Sequence, residues 1–130
     1  FNITSETSDS MYKGQIISYK VSPFLGLKIN WVTEITNVND KMFFVDEQRF
    51  GPYTMWHHEH LFMEVGDKIE MTDKVTFKLP GGFIGRLFAP FIVIPQLKKI
   101  FNLIYFTIVL NYLTYKVTIH IFIDNKQHII

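Results

Sequence analysis

The chain has 130 residues, 48% of them apolar, with 13 Phe and a formal net charge of +1. That length sets one domain with enough apolar material for a core, and the balanced charge excludes both the basic field of a nucleic-acid binder and the acidic run of a solubilising arm. The absence of cysteine excludes a disulfide framework, a Cys-based zinc site and a Cys nucleophile.

No basic segment followed by an apolar core opens the chain, so no signal peptide is visible, and a cytoplasmic location is expected. Phe1-Asn2-Ile3-Thr4-Ser5-Glu6 reads as the middle of an element, so a true N-terminus further upstream is expected. Residues 13–22 and 27–37 read as a strand pair. Ile17, Tyr19 and Val21 share one face of the first, and Ile29, Trp31, Thr33 and Ile35 share one face of the second. Pro23-Phe24-Leu25-Gly26 joins them, with Gly supplying the turn. Asn37 to Lys41 is a polar turn, 43–50 a third strand and 53–65 a fourth. Gly66-Asp67 is a hairpin turn, and 68–79 is a fifth strand.

On the fifth strand Met71, Asp73, Val75, Phe77 and Leu79 alternate with Glu70, Thr72, Lys74, Thr76 and Lys78. One face is therefore expected to be buried and the other wet. Five antiparallel strands in meander order follow. Beyond Pro80-Gly81-Gly82 the period changes: Leu97, Ile100, Phe101 and Ile104 form the apolar stripe of a helix. Pro95 fits its first turn, and Pro90 separates it from a short turn at 84–88. A sheet with one apolar face followed by one amphipathic helix is an α+β layer pair. Residues 107–130 read as an extra strand or an apolar sticky tail, because Thr107 to Leu110 and Lys116 to Ile123 are β-prone. The uncharged run from Ile100 to Tyr115 is 16 residues and carries Asn102 and Asn111, too short for a membrane span.

The runs FVDEQRFGPYTMWHHEH (44–60), MTDKVTFKLP (71–80), GRL (85–87) and QLKKIF (96–101), with GQIISYKVSPFLGLKINWVTEI (14–35), resemble the START-like, helix-grip SRPBCC superfamily. The likeness is to its bacterial ligand-binding branch, often labelled "cell division inhibitor", and covers residues 1–106. It implies a curved antiparallel sheet wrapped around a long C-terminal helix, with a cavity between them. Two departures stand out. The family's N-terminal strand and two short helices precede the point where this chain begins. The family's long helix is continuous, whereas Pro90 and Pro95 interrupt its start here, and 107–130 follows no family pattern. The chain therefore divides into a helix-grip domain at 1–106 and an atypical apolar tail at 107–130.

On the fourth strand Trp56, His58, His60 and Phe62 are placed inward, and His57 and Glu59 outward as a solvated pair. His58 and His60 at i and i+2 point the same way, with Cβ atoms roughly 6–7 Å apart. That spacing suits a metal with Asp73 as third ligand, but His-x-His alone is a weak signal, and no metal and no cofactor is expected. The plainer alternative is a polar patch in which the His pair hydrogen-bonds Asp46, Asp73 or Gln48. Asp46 and Asp73 sit on the inward faces of strands three and five, where a buried carboxylate needs a partner. Tyr19 and Trp31 add amphipathic walls, and Phe101 comes from the helix; core packing is the alternative for all three.

No P-loop or G-x-S-x-G elbow occurs. The expected function is binding of a small hydrophobic or aromatic molecule between sheet and helix, contacted by Tyr19, Trp31, Asp46, Gln48, Trp56, His58, His60, Phe62, Asp73 and Phe101. One rival is a cyclase- or hydrolase-like enzyme using His/Asp acid–base catalysis in the same cavity. The other is a protein–protein interaction module that pairs with a partner, or with a second copy, through an open sheet edge or the tail.

Overall fold

The computed structural model describes residues 2–4, 10–24, 27–112, 116–123 and 126–129. The elements in chain order are β1 (Asn2–Ile3), β2 (Ile16–Phe24), β3 (Leu27–Asn39), β4 (Phe43–Phe50), β5 (Met55–Val65), β6 (Lys68–Lys78), α1 (Gly82–Tyr112), β7 (Lys116–Ile123) and β8 (Lys126–Ile129). Among the described residues they form one open sheet in the order β1-β2-β3-β4-β5-β6-β7-β8, with a single helix. The class is α+β.

Period-two alternation decides which way each inner strand faces. Trp31, Thr33 and Ile35 on β3, Trp56 and His58 on β5, and Met71, Asp73, Val75 and Phe77 on β6 are all buried. Their sequence neighbours face out. The outer face carries a charge ladder: Arg49 bridges Glu34 and Glu47 at 2.7 and 2.9 Å, and His57 contacts Glu47 and Glu59 at 3.0 and 3.4 Å. His57 and Glu59 are therefore outward, as expected. Gly66, at φ 66°, opens the two-residue turn that pairs Val65 with Lys68; a left-handed first turn residue matches the twist of a tight hairpin. Of the turn expected at Pro23-Phe24-Leu25-Gly26, Pro23 and Phe24 instead continue β2, and Leu25-Gly26 lie outside the described residues.

Three expectations are corrected. First, the sheet is mixed: β2 to β6 run antiparallel, but β7 pairs parallel with β6, from Glu70 opposite Lys116 to Phe77 opposite Ile123. A chain that leaves β6, crosses one sheet face as a helix and returns to the same edge runs in the same direction as the strand it left. Of the two readings of residues 107–130, an extra strand or an apolar tail, the first holds for Lys116–Ile123, a strand whose Ile119 and Ile121 are buried in the core. Second, the expected boundary after residue 106 falls inside α1, which runs on to Tyr112.

Third, Pro90 and Pro95 both lie within α1 and do not delimit it. Each lacks the N–H that would reach back one turn, a local cost of about 3 kcal/mol. Burial of Ala89, Val93, Ile94, Leu97 and Phe101 against the sheet outweighs that cost. The helix stripe differs accordingly. Leu97 and Phe101 face the core, but Ile100 is 45% exposed, and the side chain of Ile104 lies outside the described set. The opposite side of the first half of α1 is apolar as well, with Phe83, Ile84, Leu87, Phe88 and Phe91 exposed. Among the described residues no helix is long and apolar enough to cross a membrane.

Candidate functional site

Three adjacent strands converge on one buried polar cluster. β4 pairs with β5 so that Asp46 stands opposite His58, and β5 pairs with β6 so that His60 stands opposite Asp73. Because 46, 58, 60 and 73 share the inward parity, their four side chains meet on one face. His58 places Nδ1 3.4 Å from Asp46 Oδ2 and Nε2 3.6 Å from Asp73 Oδ1. His60 places Nε2 3.0 Å from the same Asp46 oxygen and Nδ1 2.8 Å from the same Asp73 oxygen. Each imidazole therefore spans both carboxylates, and the two rings lie 3.8 Å apart.

The surroundings are aromatic. Phe44 stacks on His60 at 4.0 Å, and Phe62 lies beyond Phe44 at 6.0 Å. Phe101 of α1 meets His58 edge-on at 5.7 Å, and Trp56 does so at 6.1 Å. The helix thus roofs the polar cluster with hydrocarbon, which makes ionisation expensive unless it is compensated. Burial pulls His58 below the usual imidazole range, despite its contact with Asp73. Burial also pulls on His60, but Asp46 and Asp73 outweigh it and raise His60 above that range. Burial pushes the Asp73 carboxyl up, yet its contacts with His58 and His60 more than offset this and hold it at about 2. Two neighbouring imidazoles are thus biased toward opposite protonation states, one ready to donate and one to accept. General acid–base chemistry uses such a pairing.

Satisfaction of the cluster is incomplete. His58 Nε2, His60 Nδ1 and Asp73 Oδ1 are buried without a well-aligned hydrogen bond, although they lie close together. His60 Nε2, by contrast, is aligned with Asp46 Oδ2. The indole Nε1 of Trp31 is also buried without a partner. Buried polar atoms left in this state are uncommon in native interiors.

The other expected contacts divide in two. Trp31, Trp56 and Phe101 belong to the packed core, where Trp31 meets Trp56 at 5.2 Å and Tyr53 at 5.4 Å. Tyr19 stacks on Trp31 at 6.1 Å and packs against the edge of that core. Burial raises its phenol well above the ordinary value, so Tyr19 remains protonated. Gln48 does not join the cluster despite its inward parity. Its Nε2 donates to the Tyr53 carbonyl at 2.7 Å, and its Oε1 accepts from the Tyr53 N–H at 3.3 Å, clamping the turn around Gly51 and Pro52. Phe44 and Tyr53 also line this interior, and no motif in the sequence marks them. Phe44 was detectable, since it precedes Asp46 by two residues and shares its face.

Two open grooves of about 400 and 420 Å³ lie elsewhere, one lined by Lys78 to Gly82 and Arg86, the other by outer-face residues around Glu47 and His57. Neither takes in the cluster. Compared with protein-family models, curated proteins and solved structures, the chain matches none.

Proposed function

We propose that this domain is a binding module that takes a small apolar or aromatic molecule between the inner face of the sheet and α1. One observation carries the reading: an interior built of aromatic side chains holds a few convergent polar groups, the buried His58–His60–Asp73 cluster and the indole Nε1 of Trp31, which is buried without a hydrogen-bond partner. Small-molecule sites have this composition, with apolar walls for affinity and a few placed polar groups for orientation. Half-buried Phe44 and Phe62 on β4 and β5 mark the side from which a ligand would reach the cluster. The helix-grip resemblance implies the same location.

Native mass spectrometry of the full chain, compared with the denatured chain, tests this. An organic adduct present in the native spectrum and lost on denaturation is expected. Trp31→Phe keeps an aromatic side chain, though a smaller one, and removes the indole N–H; it should reduce retention while the circular dichroism still shows a folded chain. A folded wild-type chain that carries no adduct, and acquires none from a panel of aromatic compounds, overturns the reading.

A further inference from the structure

We propose that Asp46, His58 and His60 bind one divalent transition-metal ion, with Asp73 behind them orienting both imidazoles. Asp46 Oδ2 lies 3.4 Å from His58 Nδ1 and 3.0 Å from His60 Nε2, and one donor atom from each of the three residues falls within 4.8 Å of the others. Tetrahedral zinc, with bonds of about 2.0–2.2 Å, sets neighbouring donors about 3.4 Å apart. Both distances from Asp46 Oδ2 are therefore near the spacing one ion needs, the third pair lies within 4.8 Å, and the donors stand on two hydrogen-bonded strands whose register fixes them.

The atoms on the far side of the rings supply an independent observation. His58 is 8% exposed and Asp73 is 1% exposed, and His58 Nε2 and Asp73 Oδ1 have no aligned partner. His60 Nδ1 is in the same state 2.8 Å from that oxygen. When a metal takes Nδ1 of His58 and Nε2 of His60, the ring protons must sit on the two nitrogens that face Asp73. A metal-bound imidazole almost always donates its other N–H to a carboxylate or carbonyl, which fixes the tautomer and the ring plane. Asp73 offers one oxygen to both rings at once. An ion on the Asp46 side would hold both ring protons toward Asp73 Oδ1 and align these contacts as hydrogen bonds.

Charge agrees with this assignment. Two carboxylates and two neutral imidazoles carry a formal charge of −2, which one divalent ion balances in an interior that tolerates no excess. The mixed nitrogen and oxygen donors suit zinc, cobalt, iron or manganese; magnesium and calcium favour all-oxygen sets. Asp46 and His60 keep 13% and 14% of their side chains exposed against 2% for Asp73, so the ion enters from the Asp46 side. Three protein ligands leave at least one position for water or for a donor atom of a bound molecule. The site coincides with the polar end of the proposed ligand chamber, but metal binding is measured with no organic compound present, so either proposal can fail alone.

The test is titration of chelator-treated full-length chain with zinc chloride by calorimetry, and with cobalt chloride by visible absorption. One ion per chain is expected, with the cobalt bands of a low-coordinate site. His60→Ala should abolish one-to-one binding. Asp73→Asn should keep the stoichiometry and weaken affinity by about 10–100-fold, as loss of a supporting carboxylate does. His57→Ala, which removes an imidazole from the opposite face beside Glu47 and Glu59, should change nothing. Circular dichroism establishes that each variant is folded, and Asp46→Asn replaces His60→Ala should the latter unfold. Absence of stoichiometric binding to the wild type overturns the proposal. So does binding that His57→Ala removes and Asp46→Asn leaves intact.

Discussion

His58 and His60 lie ring to ring at 3.8 Å, and each spans the same two carboxylates, Asp46 on β4 and Asp73 on β6. Sheet register alone builds this square. Opposite partners supply two of its contacts and diagonal partners the other two, so a one-residue slip of β5 would turn both imidazoles to the solvent face. The cluster therefore depends on the hydrophobic alternation that holds Trp56, Met71, Val75 and Phe77 inward.

Asp73 gives the first prediction, for metal-free protein. Its carboxyl is held at about 2, below the ordinary 3.8. A depressed carboxylate contributes its full stability above the unfolded value and loses it as pH falls through the folded value. The loss should thus run from about pH 4 to about pH 2 and amount to about 2 kcal/mol. Urea unfolding across this range should show a steeper acid decline for the wild type than for Asp73→Asn. Parallel curves would mean that Asp73 is not stabilised as an anion.

The turn after β4 gives the second. A Cβ on Gly51 would collide with the Gln48 side chain, which is clamped to both backbone groups of Tyr53. Gly51→Ala should push Gln48 out and cost about 1–2 kcal/mol, through the loss of two part-buried hydrogen bonds. Gln48→Ala removes the same bonds, so the two changes should be strongly non-additive in a double-mutant cycle. Additive costs would show that the clash is relieved without breaking the clamp.

Much of this arrangement is legible in the sequence, and its limits have physical reasons. Alternation placed His58, His60, Asp46 and Asp73 on one face, because side-chain parity on a strand is a local property. Parity also put Gln48 there, but the Gly51-Pro52 turn leaves the N–H and carbonyl of Tyr53 needing partners, and Gln48 meets that need. The parallel pairing of β7 was not legible, since a strand's partner is set by the path of the helix before it. Local rules make Pro90 and Pro95 helix boundaries; burial of Ala89, Val93, Ile94 and Leu97 overrides those rules.

That override leads to the third prediction. Pro90 and Pro95 are exposed positions inside α1. Proline in a helix interior costs about 3 kcal/mol against alanine, part of which returns through a stiffer unfolded chain. Pro95→Ala should therefore raise stability by about 1–2 kcal/mol, read as a higher urea midpoint with an unchanged slope. No gain, or a loss, would show that the helix does not continue through residue 95.

The roof over the cluster gives the last. Phe101 is 4% exposed and meets His58 edge-on at 5.7 Å. Phe101→Ala removes that cover and should cost about 3–5 kcal/mol, the usual price of truncating a buried aromatic. It should also admit water to His58. Burial is the largest influence holding the His58 imidazole below its ordinary range, so a wetter site must shift it upward. Proton NMR titration of metal-free protein should find one histidine moving toward 6.5 in the variant. Phe101→Leu retains most of the cover and should fall between the two. An unmoved His58 in a folded Phe101→Ala variant would mean that something other than the helix shields the cluster.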